Sequence, residues 1–357
     1  MLHHMPYAGV KTLLSVFAFL VASGVFLFLD ASYNHGSVSQ VELLYTREDL
    51  KIIREKKQEK IEGDRNLADL DAVRKANVHI LPDRMKPNTT AEEMCKNDNE
   101  TLFCMPAFRR FEAEYRVATK YKLTTCVIHK SMSTVMTATT CYLHNEKRFI
   151  EAKRNIYTEW KPNRFCARKN EHSRFNAMKR RFRISGNWTY MMVTRDPIDR
   201  FLSGFVDKCI RKPESCHGCG SNLTCFVINE YSRIHDQVEN NHFWRSFEDR
   251  HFFPQNWRCD LDTHFKDYKF IRYSSDPTGT LMTDLFKLLK KNKVPQESLD
   301  YIKKSLTSGR TVHSTIHSEA RRFIEQRLLS SPFLLEYVVR MFYHDFRLFG
   351  YPLPSGF

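Results

Sequence analysis

Glycine and proline are scarce in this 357-residue chain, at 12 and 13 residues, so collagen-like and low-complexity architectures are excluded. Disorder throughout is excluded too, because apolar residues reach 42% and aromatics 13%, enough for a real core. Long apolar runs are nearly absent. A single uncharged stretch is long enough to cross a bilayer, which rules out a multi-pass membrane protein. Acidic residues are outnumbered, 41 against 56 Lys and Arg, and the net charge of +15 asks for a polyanionic or phosphorylated partner. No cysteine precedes Cys95, the first of ten, and the last is Cys259.

The uncharged stretch runs TLLSVFAFLVASGVFLFL from Thr12 to Leu29, between Lys11 and Asp30. It is long for the h-region of a cleaved signal peptide, and no clean A-x-A follows it, so an uncleaved signal-anchor is expected. Basic charge precedes the span, whereas Asp30 and Glu42 follow it. That bias predicts a type II protein with a cytoplasmic tail at 1–11, a transmembrane helix at 12–29 and a lumenal remainder. Four acceptor sites for N-glycosylation, at Asn88, Asn99, Asn187 and Asn222, suit a lumenal body. Ten cysteines suit an oxidising compartment in which disulfides persist. The CHGC stretch at Cys216–Cys219 invites a zinc site, but a second CxxC or a His pair at finger spacing is missing, so disulfides are expected, with the pairing open.

Residues 30–104 read as a lumenal stem ahead of a globular body at 105–357. Between Arg47 and Arg65 seven basic and six acidic residues nearly alternate, and Leu43, Leu50, Ile53 and Ile61 supply a thin apolar stripe, as in an exposed helix or short coiled coil. In the body, Phe108, Phe111, Tyr115 and Ala118 mark a helical face. Strands are expected at Leu123–Ile128, Tyr190–Val193 and Tyr268–Tyr273, followed by helices at Val135–Leu143, from Pro197, and at Leu281–Leu289. The C-terminal part reads as mainly helical. This repetition predicts an α/β fold, a P-loop-like parallel sheet flanked by helices.

Two strand ends carry the candidate chemistry. The first runs into His129-Lys130-Ser131-Met132-Ser133-Thr134, where backbone N–H groups at a helix start, hydroxyl donors and one Lys converge as an anion trap. It lacks both glycines of GxxxxGK[ST], which argues against an ATPase or a kinase; alone, it is equally an ordinary Ser/Thr helix cap. The second ends in TRDPIDRFLS, with Arg195 at the strand's carboxyl end and Ser203 about two turns into the next helix, both within reach of one phosphate. Read otherwise, Arg195 and Asp196 form a surface ion pair.

Together, HKSMST and TRDPIDRFLS resemble the two cofactor signatures of the Golgi carbohydrate sulfotransferases, which use 3′-phosphoadenosine 5′-phosphosulfate (PAPS). The nearest branch is the chondroitin and dermatan 4-O-sulfotransferase group. Further along, HFFP at His251–Pro254 with Cys259 resembles HWxP…C, YKFI at Tyr268–Ile271 resembles YDFVG, and LFGY at Leu348–Tyr351 matches a closing element. The resemblance implies that Lys130 acts on the bridging oxygen and is catalytic. It implies that Ser131, Ser133 and Thr134 hold the 5′-phosphosulfate, and that Arg195 and Ser203 hold the 3′-phosphate. His129, Met132 and Val135 depart from the family's Pro, Gly and Asn, which marks a divergent subfamily.

In-line sulfuryl transfer onto a glycan hydroxyl needs positioning, cations and a general base, for which His251 is the first candidate beside an equally plain structural role. No metal is required, since Lys and helix-end amides can neutralise the leaving group. Residues 146–183 hold thirteen Lys/Arg against four Asp/Glu, a surface suited to a glycosaminoglycan of the chondroitin type or simply to water. A lumenal address argues against nucleic acid. The rival expectation is a catalytically inactive, membrane-anchored glycan-binding protein on the same fold. Oligomeric state is left open.

Overall fold

The computed structural model describes residues 47–78, 90–96, 102–157, 159, 164–212, 216–240, 246–273, 280–308 and 318–357. The expected cytoplasmic tail, the transmembrane helix at 12–29 and the acceptor sites Asn88 and Asn99 lie outside the described residues. Among the described residues no helix is long and apolar enough to cross a membrane. The chain divides into two compact units, Met1–Glu62 and Gly63–Phe357. In the first, the described residues 47–62 are helical. They belong to helix α1 (Arg47–Ala76), where the stem was expected to be helical.

Within the second unit, part of the expected stem is packed down. Val73 is fully buried in the main core, Asp69 pairs with Arg211 at 3.3 Å, and Asn77 accepts from Leu223 N–H at 2.9 Å. A short helix α2 (Ala91–Lys96) follows, and the Cys95–Cys104 disulfide closes the loop behind it.

One five-stranded sheet organises the body: β1 (Tyr115–Ala118), β2 (Leu123–Cys126), β3 (Glu171–His172), β4 (Thr189–Arg195) and β5 (Tyr268–Tyr273), in the order β3-β1-β2-β4-β5. Strands β2, β4 and β5 are parallel neighbours, which are the three strands expected from sequence. The sheet is mixed, however, because β1 runs antiparallel to both β2 and β3. The expected helical face through Tyr115 and Ala118 is therefore corrected to a strand. Arg116 masks the pattern: it is buried between apolar neighbours, and its guanidinium is held by Glu114 at 2.7 Å and Glu171 at 3.5 Å. The single 3-10 turn at Thr119–Tyr121, with Lys122 in the left-handed region, is too short for a parallel crossover.

Each parallel strand hands the chain to a helix: β2 to α3 (Ser133–His144), β4 to α4 (Pro197–Phe205) and β5 to α5 (Thr280–Lys291). Helix α4 starts as its sequence dictates. Asp196 accepts from Asp199 N–H at 2.9 Å as the N-cap, and Pro197 fills the first turn, where no N–H is needed. Beyond it lie α6 (Leu223–Glu239), the short α7 (Asp249–Phe252), α8 (Glu319–Leu329) and α9 (Pro332–Phe349). Phe201, Phe205, Phe226, Phe252 and Phe342 stack against one another where α4, α6, α7 and α9 meet. Gly204 permits this approach, because a Cβ there would stand 2.7 Å from the Phe252 ring.

All ten cysteines are in disulfides: Cys95–Cys104, Cys126–Cys259, Cys141–Cys166, Cys209–Cys216 and Cys219–Cys225. Cys216 and Cys219 bond to different partners, so the CHGC stretch is a pair of adjacent covalent ties. Asn187 is exposed in the turn before β4, and Asn222 caps α6 through its side-chain oxygen, accepting from Cys225 N–H.

Candidate functional site

The site is built at the carboxyl ends of β2 and β4. Between β2 and α3 the backbone turns sharply, with Lys130 at φ 68° and Met132 at φ 56°. Met132 is the residue before α3 and gives no side-chain cap. The first intrahelical bond is Met136 N–H to the Met132 carbonyl at 2.9 Å, so N–H groups of the first turn lack helical acceptors and their dipoles point out of the helix start. Ser133 and Thr134 lie there, half-buried. Ser131 differs from expectation in one respect: its buried hydroxyl is engaged, donating to Gln255 Oε1 at 3.1 Å.

Arg195 ends β4 with its guanidinium 4% exposed as a residue, 5.0 Å from the Tyr273 ring centre. Its Nη1 donates to the Lys130 carbonyl at 3.1 Å, so the two segments, 65 positions apart in sequence, are joined directly. Asp199 lies 3.9 Å from Nε, and Nε itself is buried without a hydrogen bond. Ser203, buried, sits on α4 behind the same strand end. Asp199 is also gripped by Arg321 of α8, a buried cation with no sequence signal of its own.

Lys130 turns its ammonium into the protein, 2.9 Å from Asp207 Oδ2. Lys208 contacts the same oxygen at 2.9 Å. Burial chiefly lowers the Lys130 pKa, to about 8, with Lys208 and Arg195 adding to the fall and Asp207 opposing it. Arg200, within the RDPxxRxxS element, is fully buried and donates to the His129 carbonyl at 3.1 Å and the Phe252 carbonyl at 3.3 Å.

His251, the expected base, lies on α7 with its ring edge-to-face on His129 at 4.7 Å. Its Nδ1 is 2.7 Å from the Phe247 carbonyl, which can only accept a hydrogen bond, so Nδ1 carries the hydrogen and Nε2 the lone pair. Burial, with His129, Lys208 and Lys130 nearby, holds its pKa well below the ordinary range and the ring neutral. The exposed Phe247 ring packs on His251 at 4.6 Å and lies 5.0 Å from Lys208 Nζ.

From His129 a chain of polar contacts leads away from the site: Glu114, 3.9 Å from the neutral imidazole, then the ion pairs of Arg116, Glu171 and Arg164. Arg164 and Glu171 belong to the basic tract, whose Lys147, Lys153, Arg168, Lys179, Arg180 and Arg183 are exposed.

Among the described residues six buried guanidinium nitrogens make no hydrogen bond, and three of them, Arg195 Nε, Arg200 Nη2 and Arg321 Nη1, belong to the arginines described at this site. Buried donors without a hydrogen bond are costly even on ion-paired guanidinium groups, and oxyanions of a phosphate or sulfate are groups that satisfy them. The donor set fits an anionic nucleotide. Residues 113–352 match the model described as the sulfotransferase family. The chain belongs to that family. The matched span contains every residue named at this site, from Glu114 to Arg321.

Three Caenorhabditis elegans relatives share most of their length with this sulfotransferase-family chain. An uncharacterized protein is 45% identical over 295 residues, 81% of this chain and 82% of its own. The protein vep-2 is 42% identical over 290 residues, 79% and 89% respectively. Carbohydrate sulfotransferase chst-1 is 34% identical over 270 residues, 73% and 81%. No solved structure matches the chain.

Gln255, Arg200, Asp207, Lys208 and Arg321 were not singled out from sequence. Gln255 directly follows the HFFP element and Arg200 lies inside RDPxxRxxS, so both had a positional signal; Asp207, Lys208 and Arg321 had none.

Proposed function

We propose that the chain transfers a sulfuryl group from PAPS to a hydroxyl of a glycan, with a chondroitin-type glycosaminoglycan as the acceptor. The observation that carries this reading is the bond from Arg195 to the Lys130 carbonyl, which brings the two expected anion-binding segments to one place. A relative named carbohydrate sulfotransferase supports a glycan acceptor, and the exposed basic residues of 146–183 supply charge complementary to a polyanion. The uncharged run at 12–29 and ten paired cysteines support a Golgi location, as a single-pass type II protein with a lumenal catalytic body.

PAPS, when bound, supplies an activated sulfuryl group on a nucleotide leaving group. Ser133 and Thr134, with the first-turn amides of α3, hold its sulfated end, while Arg195 and Ser203 hold the 3′-phosphate. Lys130, whose ammonium sits against Asp207, would supply positive charge for the bridging oxygen, where negative charge develops. His251 takes the acceptor proton at Nε2, the nitrogen left unprotonated by the Phe247 carbonyl. No step on these residues calls for a metal ion.

One observation favours a second reading, a catalytically inactive glycan-binding protein: Met132 places a side chain at the turn where the family has glycine. Binding of 3′-phosphoadenosine 5′-phosphate (PAP), measured by calorimetry at moderate salt, separates the two. Binding that Arg195→Ala abolishes supports the enzyme reading and justifies assaying sulfate transfer onto chondroitin. A folded protein that binds no PAP overturns it.

A further inference from the structure

The cationic pair at Asp207 is built with unusual rigidity. Helix α4 does not end at Phe205 but widens into a π-helical turn, Val206–Ile210, and both Asp207 and Lys208 lie on that turn. π-Turns cost regular hydrogen bonding and cluster at functional sites. The turn is pinned by the Cys209–Cys216 disulfide, and all five of its residues are buried. Here a single carboxylate oxygen stands 2.9 Å from each of two ammonium groups, Lys130 from the loop after β2 and Lys208 from the turn. Two buried cations on one carboxylate oxygen concentrate positive charge at this loop, which suits a site that must receive a polyanion. Without the carboxylate, burial drives Lys130 further toward its neutral form.

We propose that Asp207 is a positioning residue for sulfuryl transfer, whose buried carboxylate holds the ammonium groups of Lys130 and Lys208 side by side at the loop that receives the donor. The proposal rests on the PAPS-dependent reading for its reaction, but its physical content concerns the protein alone. The groups that face Lys130 are Asp207 and Lys208 from the π-turn, Arg195 from β4 and His251 from α7. Asp207 is the acidic member of that set. It sustains the charge on Lys130 against burial and against three neighbours that are cationic or become so. Lys208 is the second cation at the centre, also 5.0 Å from the Phe247 ring whose carbonyl orients His251.

The test compares full-length wild type with Asp207→Asn, Asp207→Glu and Lys208→Met. Reactivity of Lys130 toward acetic anhydride is followed against pH by mass spectrometry in the cofactor-free protein, since only the neutral amine reacts. In Asp207→Asn the midpoint is expected to fall by about one pH unit or more, the usual effect of removing an adjacent opposite charge. Lys208→Met is expected to move it upward, because a like charge is removed, and Asp207→Glu to stay near wild type. The alkaline limb of kcat/KM for PAPS should shift in the same directions, since that parameter reports groups of the free enzyme. Should Asp207→Asn fail to fold, the upward shift in Lys208→Met carries the test. One common midpoint in all folded variants overturns the proposal, as does an activity loss in Asp207→Asn with an unmoved alkaline limb. Wild type that transfers no sulfate onto chondroitin and binds no PAP would instead overturn the functional reading, leaving the labelling midpoints to decide the hold of Asp207 on Lys130.

Discussion

Gln255 holds both backbone groups of Arg195: its Oε1 accepts the Arg195 N–H at 3.0 Å, and its Nε2 donates to the Arg195 carbonyl at 2.8 Å. The same Oε1 accepts from Ser131 Oγ, so one amide ties the end of β4 to the loop after β2. Asp345 of α9 in turn accepts from the Gln255 N–H at 2.7 Å and from Asn256 at 2.8 Å. The strand end that carries Arg195 is thus fixed from the far side of the fold.

Replacing Gln255 with Leu keeps the volume and removes every one of these side-chain bonds. Arg195 N–H, its carbonyl and the Ser131 hydroxyl would be left buried and unsatisfied, each at about 1–3 kcal/mol. The expected result is a loss of about 3 kcal/mol or more in urea unfolding, together with PAP affinity reduced at least about tenfold. Unchanged PAP affinity in a stable Gln255→Leu protein would show that the tie does not position the site.

Gly204→Ala tests the packing beneath His251. The added methyl would meet the Phe252 ring, which is fully buried among aromatic neighbours and has little room to yield. Overpacking of this kind costs about 1–3 kcal/mol. Because Phe252 adjoins His251, the variant should lower kcat as well as Tm. Loss of Tm with wild-type kcat would separate the core from the site.

Acid pH should unfold the protein through the paired imidazoles. His129 is pulled down from 6.5 to about 4, chiefly by burial, with Arg258, Arg200 and Arg250 adding to the effect and Glu114 opposing it. Between those two values the unfolded chain binds the proton and the folded one does not. Stability is therefore fully present above about pH 6.5 and is lost as pH falls toward 4, by an amount on the order of 2–3 kcal/mol for His129. His251, shifted in the same direction, adds to the slope. Urea midpoints across this window should fall steeply in wild type and less steeply in His129→Gln.

The parallel half of the sheet was legible because β2, β4 and β5 are apolar runs that each feed a helix, and the run of β4 is buried along its last five residues. Strand β1 was not, since Arg116 reads as a solvated residue until Glu114 and Glu171 are brought to it by the antiparallel turn. Of the site, Lys130 and Arg195 were legible as cations at strand ends. That Asp207 would face Lys130 depends on a π-turn, which leaves no periodic trace in sequence. The Ser131 hydroxyl had the composition of a phosphate donor, and only the position of Gln255 shows it to be engaged within the fold.

Met132→Gly addresses the departure that favours the inactive rival. At φ 56° and ψ 28° Met132 occupies the left-handed region, which costs a residue with a Cβ about 1 kcal/mol and costs glycine almost nothing. Against that gain stand the lost packing of a partly buried side chain against the apolar cluster around Val127 and Val135, and the greater freedom of glycine in the unfolded chain. The two sides nearly cancel, so stability should change by no more than about 1 kcal/mol. Binding should respond differently, because glycine lets an anion approach the backbone at the start of α3 more closely. PAP affinity is expected to rise about three- to tenfold, or about 0.7–1.4 kcal/mol, in calorimetry. If wild type binds PAP weakly and Met132→Gly restores tight binding, the methionine side chain limits access to the loop. Equal affinities would mean that Met132 lies against the core and leaves the helix start open, which removes the one observation favouring the inactive reading.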